Sequence, residues 1–148
     1  MEECKSSSQR LAILGAVSSK TGSFQYLSKP KFFDKEDMIQ FLRIIRENTK
    51  SRNVAIFCDN CGIHIAKDVI EEAKRLRILI VRNVPYSPWF NGIERIWGRM
   101  KWIFRREILR LKMNKERVSL KEIVPNVASK LEREFNLRCA LNGWKMLE

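Results

Sequence analysis

Two short, unbroken apolar runs constrain this chain more than any other feature. They are residues 54–58 (VAIFC) and 78–81 (ILIV), with a stretch of helical spacing between them in Val69, Ile70, Ala73 and Leu76. Continuous apolar runs of this length suit strands buried on both faces of a sheet. A strand, a helix over 66–76 and a second strand with short joins make a βαβ unit, whose two strands are parallel. The chain is therefore read as α/β, and its 148 residues suffice for one domain with a core of its own, not comfortably for two.

The flanking segments fit around that unit. Residues 10–18 (RLAILGAVS) are an apolar run, Ser19-Lys20-Thr21-Gly22 supplies turn chemistry, and residues 24–27 return as a second strand. That makes a hairpin, broken by Lys29-Pro30-Lys31. A helix is expected over 34–49, with Asp34 as its cap, Asp37 in its first turn, and Met38, Phe41, Leu42 and Ile45 on one buried face. Pro85-Tyr86-Ser87-Pro88 must be an ordered loop, since two prolines forbid helix and central strand. A long helix follows from Asn91 to about Leu111, with Ile93, Ile96, Trp97, Met100, Phe104, Ile108 and Leu111 as its apolar stripe. Ser119 and Glu122 read as a capping box opening a last helix to about Phe135, kinked or delayed by Pro125. Trp97, Trp102 and Trp144 are read as core, with Trp144 packing back from the tail. Residues 1–9 read as a loose polar stub, and 10–148 as a single domain.

Lysine and arginine number 29 against 17 acidic residues, a net charge of +12. Such a field draws polyanions, nucleic acid above all. Nine basic residues between Arg95 and Arg117 stand against two acidic ones, Glu107 and Glu116. The candidate DNA contacts are Arg95, Arg99, Lys101, Arg105, Arg106 and Arg110; the plainer alternative is a solvated helix face. No run approaches the ~20 apolar residues of a membrane span, and the first nine residues lack the apolar run of a signal peptide. The expected location is intracellular, nuclear if the host is a eukaryote, with DNA as partner and neither a membrane nor a small-molecule substrate. Four cysteines (Cys4, Cys58, Cys61, Cys139) suit a reducing compartment. Cys58, Cys61 and His64 lack the fourth ligand that zinc requires, and Cys58 reads as a small buried strand residue.

Asp59 stands just past the first buried strand, where parallel sheets gather ligands at their carboxyl ends. Glu94 follows with 34 residues between, in the first turn of the long helix. Alone, Asp59 is an ordinary turn former and Glu94 an ordinary first-turn acid favoured by the helix dipole. Together they can bring two carboxylates from different elements to one edge of a sheet. Oxygen-only ligation suits Mg²⁺ or Mn²⁺, and two such ions about 3.5–4 Å apart activate an attacking oxygen and steady a leaving one in phosphodiester chemistry.

Asp59-Asn60-Cys61-Gly62-Ile63-His64 and Pro85-Tyr86-Ser87-Pro88-Trp89-Phe90-Asn91-Gly92-Ile93-Glu94 resemble the D-N-x-x-x-H and P-Y-S-P-x-x-N-P-I-E segments of Tc/mariner-type DDE transposases, at the same separation. The similarity extends from about Arg10 to at least Lys101. It implies an RNase H-like fold, a two-ion Mg²⁺ or Mn²⁺ site, and DNA cleavage and strand transfer. By motif, Asp59 would be the second catalytic acid and metal ligand and Glu94 the third. Asn60 and His64 would shape the site as polar neighbours, and Asn91 would fix the start of the Glu94 helix.

The chain departs from that pattern at three points. Gly92 replaces the usual proline, which predicts a less rigid turn into the helix. Asn83-Val84-Pro85 carries one proline where the family often has two. The first acid, and the central strand that bears it in the family, have no counterpart in the pattern of residues; nor does an N-terminal helix-turn-helix. The expected fold is thus a truncated RNase H-like one, a hairpin followed by α-β-α-β-α and C-terminal helices, with unpaired edges where the first strand would lie. Such a chain is expected to be inactive by itself. Either a second polypeptide supplies the strand and its Asp, or the two half-sheets close on each other, or the chain is a remnant. The alternative to a transposase-derived nucleic-acid-binding protein is a non-catalytic basic DNA-binding or interaction domain.

Overall fold

The structure, a computed structural model, describes residues 10–50 and 53–145, the last three by backbone alone. The stub over 1–9 and the side chain of Trp144 lie outside the described residues.

The chain opens with the expected hairpin, β1 (Leu11–Val17) and β2 (Phe24–Pro30), antiparallel from Leu11 opposite Pro30 to Val17 opposite Phe24. Gly22 makes the turn at φ +69, a conformation that costs a residue without a Cβ little. The second strand runs three residues past the expected 24–27. Pro30 ends it rather than breaking it from within, because a proline at a strand's last position forfeits only a terminal ladder bond.

Helix α1 (Lys35–Asn48) begins at a reciprocal cap: Asp34 Oδ1 accepts the Asp37 N–H at 3.0 Å, and Asp37 Oδ2 accepts the Asp34 N–H at 2.9 Å. Met38, Phe41, Leu42 and Ile45 are its buried residues, as their spacing requires. Strands β3 (Val54–Cys58) and β4 (Ile78–Arg82) are parallel, joined through the short α2 (Gly62–Ile65) and α3 (Lys67–Arg75). Their burial differs from expectation. Val54, Ile56, Ile78 and Ile80 pack on α1 and α3, but on the opposite face Ala55 is exposed and its partner Leu79 is 64% exposed. An unbroken apolar run marks a strand that can be covered on both faces; it does not supply the second cover.

Among the described residues, hydrogen bonds join β1 to β2 and β3 to β4, and no ladder joins the two pairs. The half-sheets therefore do not close on each other. What connects them is α1, whose core takes Leu14, Ala16 and Leu27 from the hairpin and Val54, Ile56, Ile78 and Ile80 from the parallel pair.

The hairpin's other face meets a second core. Leu11, Ile13, Val17, Phe24 and Tyr26 pack against Ile96, Met100 and Ile103 of α4 (Ile93–Met113) and against α5 (Leu120–Ser129) and α6 (Arg133–Lys145). The single last helix expected over 119–135 is two helices. Lys130 and Leu131 donate to carbonyls three residues back, which tightens and ends α5. Ser119 makes no side-chain cap, so the expected capping box does not form, and Pro125 sits within α5 without delaying its start. Trp97 packs in this core, its ring edge-on to Phe24 at 5.6 Å between centroids. Trp102 is 45% exposed and belongs to neither core. No helix among the described residues is long and apolar enough to cross a membrane.

Candidate active site

Asp59 leaves the carboxyl end of β3 into a tight turn. Its Oδ1 accepts the Cys61 N–H at 3.0 Å, and His64 Nδ1, on α2, lies 2.8 Å from the same oxygen, off the line of a hydrogen bond. The Asp59 side chain stays 57% exposed.

Glu94 reaches the same place by a different route. After β4, Asn83 turns the chain: its N–H donates to Cys58 O at 2.8 Å, its side-chain Nδ2 donates to Ser87 O at 2.7 Å, and its carbonyl accepts Asn60 Nδ2 at 2.9 Å. Asn83 thereby ties the end of β3, the Asp59 turn and the proline loop to one buried residue. Tyr86 takes φ +57 in that loop and is 97% exposed at its tip. A 3-10 turn at Pro88–Phe90 leads to Asn91, whose carbonyl accepts the Glu94 N–H at 3.2 Å and whose Oδ1 accepts the Ile93 N–H at 3.4 Å. Asn91 thus bonds to the first turn of α4.

Gly92 is not a loosened substitute for proline. A Cβ there would lie 2.0 Å from the Cys139 carbonyl oxygen of α6. The start of α4 is pressed directly on α6, and packing supplies the restraint that a proline ring would otherwise give.

Asp59, Asn60, Asn83, Asn91 and Glu94 line one cavity of about 420 Å³ with the proline loop as its far wall. Of the five residues singled out from sequence, four line this space; His64 stands behind Asp59 rather than in the wall. Two carboxylates lining one cavity suit a hard divalent ion as part of a ligand set, and among the described residues no group of three His, Cys, Asp or Glu side chains is placed to complete it. Asn83 escapes the sequence reading. A polar residue straight after an apolar strand and ahead of a proline loop is its only sequence signal.

The basic helix beyond Glu94 divides in two. Arg95, Arg99, Lys101, Arg105 and Arg106 are exposed, with no carboxylate partner among the described residues. Arg110 is exposed as well but paired: its Nη2 lies 2.8 Å from Glu107 Oε1, and its Nη1 3.8 Å from Glu116. Glu107 is only 6% exposed and also accepts from Asn126 at 3.0 Å and Lys130 at 3.1 Å. Arg110, then Lys130, hold its carboxyl below the usual carboxylate range. This network clamps α4 to α5, a role for Glu107 that an acid in a basic stretch does not announce.

A family model described as DDE superfamily endonuclease matches residues 2–114, about three quarters of the chain. Comparison with curated proteins finds no match. Among solved structures, the chain is similar to one from the simian T-cell lymphotropic virus intasome, determined by cryo-EM in complex with PP2A regulatory subunit B56 gamma. The TM-score is 0.59 and the identity 17%, over 80% of this chain and 45% of that one, so the chain spans less than half of that relative's length. It is also similar to the catalytic core domain of BIV integrase, at TM-score 0.50 and 19% identity, over 74% of this chain and 78% of that one. At these identities the likeness is one of fold: a truncated RNase H-like arrangement of a small α/β sheet and helices.

Proposed function

This chain belongs to the DDE superfamily endonuclease family, and from that premise we propose that residues 10–148 are part of a Tc/mariner-type transposase catalytic domain whose parent activity is metal-dependent DNA cleavage and strand transfer. One observation carries the reading: Asp59 from the end of β3 and Glu94 from the start of α4 line a single cavity at the carboxyl end of the parallel pair. The two motifs, at the family's separation, support the subtype. In this reading Asp59 is the second acid and Glu94 the third, and both are ligands for Mg²⁺ or Mn²⁺. Asn60 and Asn91 hold the two acids' backbones in place, and the Cys61 N–H holds one Asp59 oxygen with His64 beside it, which leaves the other for an ion. When bound, the ions would activate the attacking oxygen and steady the leaving one. The exposed cations of α4 hold the DNA backbone.

Two carboxylates make an incomplete set, and β1 and β3 each present an edge that no described strand pairs. We therefore assign the first acid to a strand that lies outside the described residues and seats between β1 and β3. The second reading, a non-catalytic DNA-binding protein, is favoured by the free cations of α4 standing beside that incomplete acid set.

The test is Mn²⁺-dependent nicking of supercoiled DNA by the chain alone and by the chain co-expressed with a polypeptide carrying an apolar strand that ends in Asp. The expected result is salt-sensitive DNA binding without nicking for the chain alone, and nicking with the added strand that is lost in Glu94→Gln. Nicking by the chain alone, lost in Glu94→Gln, would overturn the need for the added strand. DNA binding with no nicking under either condition selects the non-catalytic reading.

A further inference from the structure

Along the solvent side of α4, Arg95, Arg99, Trp102, Arg106, Leu109 and Met113 succeed one another at three- and four-residue spacings and form one exposed stripe. Trp102 sits in its middle. The Arg99 guanidinium carbon lies 4.7 Å from the centroid of the Trp102 ring system and that of Arg106 lies 4.6 Å from it. Both are within the range where the ring quadrupole attracts a cation. A tryptophan this exposed has no packing role in either core. Neither arginine has a carboxylate partner among the described residues, whereas Arg110, one turn further along, is taken by Glu107.

We propose that Trp102 is a positioning residue for DNA: its indole holds Arg99 and Arg106 so that both meet neighbouring phosphates of one strand already ordered. The proposal rests on the reading of α4 as the DNA-facing helix. The two guanidiniums can be no farther apart than the sum of their distances to the ring. Phosphates of one strand rise by about 3.4 Å each along the axis, so the pair can span no more than about three such rises. An arginine on a flexible stem loses rotamer freedom when it binds; one already resting on an aromatic ring loses less. With its ring engaged by two guanidiniums, Trp102 serves the backbone rather than a base, so the contact carries no sequence preference.

The experiment is fluorescence anisotropy with a labelled random-sequence duplex over a series of sodium chloride concentrations, using wild type, Trp102→Ala, Trp102→Phe and Arg99→Ala. Thermal unfolding checks that each variant folds. Trp102→Ala is expected to bind about tenfold more weakly at a fixed salt concentration. Its slope of log affinity against log salt should stay that of wild type, because every charge remains. Trp102→Phe keeps a ring and should recover most of the affinity. Arg99→Ala should lower the slope by about one. Trp102→Ala binding indistinguishable from wild type, or Trp102→Phe as weak as Trp102→Ala, overturns the positioning role and leaves the DNA reading standing. A wild-type chain with no salt-dependent binding overturns both.

Discussion

The hairpin β1–β2 and the parallel pair β3–β4 are built from similarly apolar stretches, yet they meet different surroundings. The hairpin lies between two cores, α1 on one side and α4, α5 and α6 on the other. The parallel pair has α1 and α3 on one side only, and its second face is open at Ala55 and Leu79. Asp59 leaves the less covered pair, and Glu94, at the start of α4 in the wrapped part, lines the same cavity. The half-wrapped part ends in a strained loop at Tyr86. Low coverage beside a site is consistent with a surface that takes a further strand and a DNA backbone, and it gives three ways to break or sharpen the contrast.

The largest effect is expected where α6 is pressed on the start of α4. Gly92 has φ −60 and Asn91 before it is extended, so the backbone there would accept proline. The Cβ would not be accepted, because it would overlap the Cys139 carbonyl. Both Gly92→Pro and Gly92→Ala should therefore destabilise, by about 3 kcal/mol in urea unfolding. A stable Gly92→Pro would show that α6 does not clamp this turn.

Next comes a contrast within one strand. Ile78→Ala, on the covered face, should cost about 2–5 kcal/mol. Leu79→Ala, on the open face, should change stability by less than about 0.5 kcal/mol. Equal losses would mean that the second face is covered in solution, and the comparison between the pairs would fail.

The smallest effect is electrostatic. Glu72 of α3 accepts from Arg75 at 2.5 Å and from Arg43 of α1 at 2.8 Å, tying the parallel half to the bridging helix. Those bonds, Arg75 first, hold its carboxyl at about 2, below its ordinary 4.5. A depressed carboxyl contributes stability that is complete above its unfolded value and lost as pH falls through its folded one. Wild type should therefore melt slightly above Glu72→Gln at neutral pH, and the gap should close between pH 4.5 and about 2. A gap that persists unchanged at the acid end would assign the difference to packing.

The periodicity of α1, the parallel βαβ unit and the proline loop are legible in local patterns of the sequence, because apolar spacing and turn chemistry act within a few residues. The resemblance added the fold and the pairing of the two acids. Burial beyond that was less legible. Trp102 looks like core by composition and is exposed, while Glu107 looks like a surface acid and is buried, since both depend on which helix lies across α4. The split of the last helix into α5 and α6 was equally hidden, because no glycine or proline marks the break at Lys130.

By itself the sequence determined most of the strands and helices and that β3 and β4 run parallel. These are consequences of side-chain period and chain connectivity. Only the tertiary structure decided that the two strand pairs stay apart, that Asn83 binds three segments together, that Gly92 must lack a side chain, and that Arg110 is paired with Glu107 while Arg99 and Arg106 rest on Trp102. Each of those depends on a neighbour distant in sequence or on which face a helix buries, and packing of that kind is a property of the assembled surfaces rather than of any window of the chain.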